Sequence, residues 1–408
     1  MPSTHSIAAE PKAKPSHKGA QNRAAKLRFW GVRGSTPTVD KATWRYGGNT
    51  ACLELTTPEG ARLILDCGTG LRMLGRHLAA TQKSDTLEPH IFVTHYHWDH
   101  IQGIPFFAPL YSEQNHFHFY SFRSEYLGMD SLKRVFEAQM ASPYFPVDLS
   151  AMSAKREFSE VSGGDQLQVP GALVKASWLH HPQGCLGFRF ETPAGIVVYA
   201  TDNEPGNPKL DKSLLELADG ADIFINDAQF SPEQLATTRK GWGHSSWLEG
   251  VKIAQEAGVK NLVLFHHDPD STDKAVDATL RDAREQFENV WAAAEGMVMT
   301  LEQQNVDVVI PNAREGLRRD ANFRARVTGL TDGGQTFEEE TFINDLTLHG
   351  ALIYLDHSPK LQSELQVQLE NPGICGASNS PLRLRGYVVR IEAASEKDRT
   401  AVGIVFTE

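Results

Sequence analysis

From Leu27 to about Leu301 the chain alternates short apolar runs with segments of helical period. Leu27–Val32, Cys52–Leu55 and Arg62–Asp66 are predicted strands. Leu71–Ala80 is a predicted helix, because Leu71, Leu74 and Leu78 share one face. Ile196–Ala200, Ile223–Asn226 and Leu262–Phe265 are apolar at almost every position, as strands covered on both faces are. Ser246-Trp-Leu-Glu249 has the spacing of a capping box, and Trp247, Val251 and Ala254 give the helix that follows an apolar stripe. Buried strands alternating with covering helices predict a layered α/β domain.

The pattern changes after Glu302. Pro311 and the charged cluster Arg314, Glu315, Arg318, Arg319, Asp320 suggest a linker, with room for a returning strand before it. Beyond Phe323 the runs become strand-like throughout: Thr336–Phe342, Ala351–Leu355, Leu365–Leu369, Gly386–Ile391 and Val402–Phe406, separated by Gly, Asn and Pro. A small all-β barrel or sandwich is expected there. The expected organisation is a disordered basic tail over 1–25, an α/β domain over 26–305, a linker over 306–321 and a β domain over 322–408.

Composition narrows the classes. A chain of 408 residues suggests two domains. A formal charge of −11 argues against a broad phosphate-binding surface, so a nucleic-acid polymer is not the expected partner. Cys52, Cys67, Cys185 and Cys375 have no paired spacing and read as reduced core thiols. No apolar run reaches membrane-spanning length, and residues 1–25 lack the apolar core of a signal peptide. The expected location is cytoplasmic, without membrane attachment. A homo-oligomer is left open.

The densest chemistry is Thr94-His95-Tyr96-His97-Trp98-Asp99-His100, which follows the run Ile91-Phe92-Val93. Imidazole favours zinc and similar ions, and a carboxylate can reach a second ion. Further candidates stand at other strand ends. His180-His181 follows Val174–Leu179, Asp202 follows Ile196–Ala200, and His266-His267 ends Leu262–Phe265. Strand ends on one rim converge in space. Gly243-His244-Ser245 precedes the capped helix, where amides and the helix dipole favour an anion.

The H-x-H-x-D-H run with the later His, Asp and His resembles the metallo-β-lactamase superfamily over roughly Leu27 to Leu301. Gly31-Val-Arg-Gly-Ser-Thr-Pro37, Tyr46-Gly-Gly-Asn-Thr50 and Leu65-Asp-Cys-Gly-Thr-Gly70 are similar to its phosphodiesterase branch, which includes ribonuclease Z and cyclic-nucleotide phosphodiesterases. Asp227-Ala-Gln-Phe230 and Gly243-His-Ser245 resemble that branch's later motifs. The resemblance implies an αββα sandwich and two divalent ions, zinc or manganese. His95, His97 and His181 would hold one, Asp99, His100 and His266 the other, with Asp202 between them. His267 stays open as an alternative to His266. Asp99, His244 and Asp227 would act in catalysis, His244 binding phosphate or protonating the leaving oxygen, and Asp227 orienting its ring. Asp66, Gly68 and Gly70 are expected to shape a turn, as are Arg33 and Asn49. No basic Gly/Pro-rich arm is found, and His267-Asp268-Pro269 replaces the branch's Ser-x-Arg region.

The last segment resembles a PilZ domain, a small barrel that often binds cyclic di-GMP. Asp345-Leu-Thr-Leu-His-Gly350 is similar to half of its motif, through Asp345, Thr347 and Gly350. Arg314 and Arg318 have the spacing of the other half, and Arg319 and Arg324 lie nearer the first strand at one residue more. Together these imply a metal-dependent hydrolase acting on small phosphodiesters such as cyclic nucleotides through a metal-bound hydroxide, with cyclic di-GMP as a regulatory ligand. A lactone or thioester hydrolase, a cyclic di-GMP receptor using the hydrolase domain as output, and a tRNA 3′-processing endonuclease are the alternatives.

Overall fold

The structure is a computed structural model that describes residues 24–81, 86–310, 319–346, 350–369, 382–393 and 399–407. The chain divides into two units, Met1–Ile310 and Pro311–Glu408. The segment expected to be linker from residue 306 is strand as far as Val309, because Val306 and Val308 alternate inward against the first unit.

In the first unit, strands β1 (Ala25–Gly31), β2 (Cys52–Thr56), β3 (Arg62–Leu65), β4 (His90–Phe92), β5 (His116–Ser121) and β6 (Lys155–Glu160) follow in chain order within one sheet. A second sheet holds β7 (Gln166–Val169), β8 (Ala172–Leu179), β9 (Cys185–Thr192), β10 (Gly195–Ala200), β11 (Ile223–Asp227), β12 (Leu262–Phe265) and β13 (Val290–Ala292). The chain then returns to the first sheet as β14 (Val298–Glu302) and β15 (Asn305–Val309), giving the order β15-β14-β1-β2-β3-β4-β5-β6. The inward faces meet in a core of Leu27, Phe29, Leu53, Phe92, Phe188, Phe190, Tyr199 and Phe265. Helices cover the outer faces. α1 (Gly70–Thr81) packs Leu71, Leu74 and Leu78 onto the first sheet. A short α2 (Trp98–Ile101) carries Asp99 and His100, and α3 (Ser131–Gln139) packs on the same sheet. On the second sheet lie α4 (Pro208–Ala218), α6 (Trp247–Glu256) and α7 (Asp273–Arg284), with the short α5 (Pro232–Thr237) against α6. Ser246 caps α6 by accepting from the Glu249 amide. The Glu249 carboxylate pairs instead with Lys252, so only half of the expected box forms.

This is a four-layer αββα sandwich, as expected. The strands β3 to β6 run parallel, as do β10 to β13, so their C-terminal ends share one rim.

The second unit is a closed antiparallel barrel of six strands: β16 (Arg319–Leu330), β17 (Thr336–Leu346), β18 (Gly350–Leu355), β19 (Glu364–Leu369), β20 (Leu382–Ala393) and β21 (Thr400–Thr407), in the order β16-β17-β18-β21-β20-β19. Val327, Ile343, Ile353, Leu355, Leu365, Val367, Val388 and Val402 fill it. β16 was not among the predicted strands: Arg319 and Asp320 fell in the expected linker, and Arg324 and Arg326 break the apolar pattern at the start of the expected β domain.

Candidate metal centre

Five of the strands that end at the rim each deliver a polar residue to the same place. His95 follows β4, His181 follows β8, Asp202 follows β10, Asp227 ends β11 and His266 follows β12. Asp202 and His266 take left-handed backbone angles, φ 56° and 59°, which turn the chain sharply as each strand ends. Neighbouring residues then diverge. His181 enters the cluster while the His180 ring bonds the Glu204 carbonyl, and His266 enters while His267 Nε2 lies 2.9 Å from the Ala293 carbonyl. Burial beside Arg33 pushes His267 down to about 3, so it is a neutral core histidine.

Two donor groups result. His95, His97 and His181 form one, and Asp99, His100, Asp202 and His266 form the other. Asp202 and His266 of the second also come together with Asp227 and His244. His97 Nδ1 and His181 Nε2 are 3.1 Å apart. His100 Nε2 and His266 Nε2 are 3.2 Å apart, and Asp99 Oδ2 lies 3.2 Å from the first and 3.1 Å from the second. Asp202 spans both groups: Oδ1 is 3.7 Å from His95 Nε2 and 3.9 Å from His181 Nε2, while Oδ2 is 3.3 Å from His100 and 3.4 Å from His266.

The outward ring nitrogens decide what these groups can hold. His100 Nδ1 sits 2.8 Å from Asp66 Oδ2, His266 Nδ1 2.9 Å from Gln229 Oε1, and His181 Nδ1 2.7 Å from the Gly243 carbonyl. His97 Nε2 is 2.8 Å from Gln183 Oε1. His95 Nδ1 is 3.0 Å from the Thr94 hydroxyl, which itself donates to Asp66. Every outer partner is therefore an acceptor, and each imidazole spends its N–H on it. The inward nitrogens keep lone pairs, and these face one another and two carboxylates. His95 Nε2 is buried without any hydrogen-bond partner. Lone pairs converging in a buried site repel unless a cation lies among them, so the donor set fits divalent metal ions. Burial holds His181 down at about 4, which keeps it neutral. Burial opposes charge on His100 too, but Asp99 and Asp202 draw it well above its ordinary value, so protons compete with metal there.

Beside the cluster, His244 Nδ1 lies 2.8 Å from Asp227 Oδ2 and 3.6 Å from Asp202 Oδ1. Burial disfavours its charge, but Asp227 and then Asp202 and Asp99 outweigh burial and raise it to about 9. Its Nδ1 is committed to Asp227, which leaves Nε2–H as a proton donor. Two glycines permit these approaches. A Cβ at Gly243 would stand 2.4 Å from His181 Nδ1, and one at Gly34 would stand 2.4 Å from His266 Nδ1. The Glu204 carboxylate fixes the first loop by accepting from the Gly241 and Gly243 amides at 2.7 Å each. An open cavity of about 200 Å³ adjoins His95 and His97 and is lined by Tyr96, Phe122, Tyr126 and Gln183.

All seven expected metal-binding residues are thus brought together, with His244 and Asp227 beside them. The sequence reading missed the outer partners. Asp66, expected only to shape a turn, bonds His100, the Thr94 amide and the Tyr199 hydroxyl. Arg33 is fully buried and bonds the Gly47, Asp268 and Ser271 carbonyls, and Asn49 pairs with Glu295, so both shape loops. In the barrel, Arg314, Arg318 and Thr347 lie outside the described residues, as do the side chains of Arg319 and Asp345. Arg324 is exposed and pairs with Glu340 at 2.7 Å across the β16–β17 ladder, and Gly350 opens β18. Cys52, Cys67 and Cys185 are free and buried, and Cys375 lies outside the described residues. Among the described residues no helix is long and apolar enough to cross a membrane.

The profile of the beta-lactamase superfamily domain matches residues 61–267, just over half of the chain. The chain belongs to this family and is a metal-dependent hydrolase of the metallo-β-lactamase superfamily. Among curated proteins it is similar to "Ribonuclease Z" of Haloarcula marismortui, 24% identical over 69% of this chain and 98% of that protein. It is also similar to "Ribonuclease Z" of Archaeoglobus fulgidus, 26% identical over 67% of this chain and 96% of that protein. Among solved structures, the metallo-beta-lactamase fold protein YhfI from Bacillus subtilis aligns with a TM-score of 0.51 at 19% identity, over 68% of this chain and 99% of that one. A diphosphatase from the PhnP family aligns with a TM-score of 0.51 at 19% identity, over 68% and 98%. The two structures show the fold. The curated relatives correct one expectation: a net charge of −11 is no ground for setting aside a nucleic-acid polymer, because proteins named for RNA cleavage match this chain over nearly their whole length.

Proposed function

We propose that the chain hydrolyses phosphodiester bonds and that RNA is its first substrate class. The observation that carries the bond type is the His244–Asp227 pair beside the donor cluster. Cleaving a phosphodiester expels an alkoxide that needs a proton, and His244 is held protonated at neutral pH. We assign His95, His97 and His181 to one ion, Asp99, His100 and His266 to the other, and Asp202 to both. Divalent ions, when bound, supply water of lowered pKa and offset phosphoryl charge. Asp99 is steadied for that role by the Ser35 amide, 2.7 Å from its Oδ2. His244 Nε2 donates to the leaving oxygen, and Asp227, fully buried, keeps the ring oriented and charged.

The choice of RNA rests on the relatives named Ribonuclease Z, which fit almost end to end within this chain. A small cyclic nucleotide is the second reading. The acidic run Asp268–Asp270 beyond His267 favours it, since those carboxylates repel a long phosphate backbone. One panel separates the two: a tRNA precursor carrying a 3′ trailer, a cyclic mononucleotide, and bis(p-nitrophenyl) phosphate, with a lactone and a thioester as controls. Cleavage of the precursor at the end of the tRNA body supports the RNA reading. Turnover confined to the cyclic nucleotide replaces it. Turnover of the lactone or thioester alone removes both.

We further propose that the closed barrel is a PilZ-like domain, on the strength of its six-stranded topology and the Asp345–Gly350 segment joining β17 to β18. Calorimetry of the whole chain with cyclic di-GMP tests it. No heat at ligand concentrations well above micromolar removes the ligand and leaves a barrel of another role.

A further inference from the structure

A second group of metal-type donors stands at the other end of the first sheet. β4, β5 and β6 run parallel, and His95 to His100 follow the C-terminal end of β4. Glu88 precedes β4, and His116 and His118 open β5, so these three lie toward the opposite rim. His116 and His118 are two residues apart on a strand and share a face, with ring centroids 4.2 Å apart. One oxygen of Glu88, Oε1, is 3.3 Å from His116 Nδ1 and 3.1 Å from His118 Nε2. All three donor atoms lie within 4.8 Å of one another.

From this geometry we propose that Glu88, His116 and His118 bind a divalent ion of zinc type, separate from the catalytic cluster. The donor set is two imidazoles and one carboxylate, the mixture that zinc prefers. His116 Nε2 lies on the far side of the ring from Nδ1, the nitrogen that faces Glu88. It is buried and has no hydrogen-bond partner, although Glu157 Oε1 is only 3.0 Å away. That contact has the distance of a hydrogen bond without its direction. Glu157 also reaches His118 Nδ1 at 3.3 Å, and Lys155 holds Glu157 at 2.6 Å. Glu157 is thus a backing charge for both rings, and Lys155 limits its use as a ligand. His90 stacks on His118 at 4.6 Å and is fixed by the Tyr120 hydroxyl at 2.9 Å, which braces the His118 ring. Glu88 supplies the carboxylate charge facing the ion, since Glu157 is already paired with Lys155. Glu88 is exposed while the histidines are mostly covered, so an ion has a path inward from solvent. Such an ion would tie the segment before β4 to β5.

The test uses the full chain, stripped by a chelator, reloaded with zinc and cleared of free ion. Elemental analysis should find about one zinc more per wild-type chain than in His116→Ala/His118→Ala. Hydrolytic rate per chain should be equal in the two proteins, since neither histidine belongs to the catalytic machinery. Equal zinc in both would overturn the proposal. Should the double variant lose its far-ultraviolet circular dichroism, Glu88→Gln decides. It removes only an exposed charge, and it should weaken uptake of the extra ion about tenfold or more. Unchanged zinc affinity in Glu88→Gln would overturn the proposal as surely.

Discussion

Asp227→Asn tests the acid role of His244 through one atom. The asparagine side chain fills nearly the same space and can still accept from His244 Nδ1, so the ring keeps its place while the buried charge is lost. His244 stands at about 9 against an ordinary value of 6.5, a difference worth on the order of 3 kcal/mol between its two protonation states. Asp227 is the first of the carboxylates that raise it, at 2.8 Å, with Asp202 and Asp99 behind. Metal ions on Asp202 and Asp99 cancel much of their pull, so Asp227 carries most of what remains. A general acid acts in its protonated form, so activity falls as pH rises through the His244 pKa. The expected result is a basic limb in the kcat/KM profile that moves about one to two units toward acid in the variant. At pH 8 the variant should then lose activity by about two- to tenfold, and far less at pH 6. The assay is a pH–rate profile on whichever phosphodiester is turned over, with metal content measured on the same samples. An unmoved basic limb at unchanged metal content would refute the acid assignment.

Three further outcomes are expected. His97→Ala and Asp202→Ala should each abolish hydrolysis, by about a thousandfold or more, with loss of metal and retention of the fold, read by elemental analysis and circular dichroism. Asp66→Ala should weaken metal binding about 10–100-fold without removing a ligand, because His100 loses the acceptor that fixes its tautomer; competition with a chelating dye measures this. His267→Ala should leave metal content unchanged and cost about 2–4 kcal/mol of stability in denaturant unfolding, through a buried cavity and the orphaned Ala293 carbonyl.

The donor cluster was legible because its residues punctuate strands. An apolar run of one strand length followed by His or Asp marks a rim, and β4, β8, β10 and β12 repeat that mark. The choice between adjacent histidines was harder. His180 and His181 differ only in which way the chain faces as β8 ends, and His266 depends on a left-handed turn that no local pattern announces. The outer partners were illegible for a different reason. Asp66, Gln229 and Gly243 bond histidines that lie 34, 37 and 62 positions away in the chain, so their role exists only once the sheets are packed. The barrel's first strand was hidden by its charge. In a six-stranded barrel alternate side chains face solvent, and Arg324 and Arg326 occupy such places opposite Glu340. Net charge gave no ground for setting aside a nucleic-acid polymer, because a sum over the chain does not say where the charges lie.

The central claim is that the converging lone pairs of His95, His97, Asp99, His100, His181, Asp202 and His266 hold metal ions that cleave a phosphodiester. The most direct measurement titrates chelator-stripped protein with manganese or zinc and follows hydrolysis of bis(p-nitrophenyl) phosphate. The expected result is no activity without metal, a rise that saturates once about two ions occupy the catalytic cluster, and no rise at any metal load in Asp202→Ala. Hydrolysis that persists after stripping, or that Asp202→Ala retains, would contradict it.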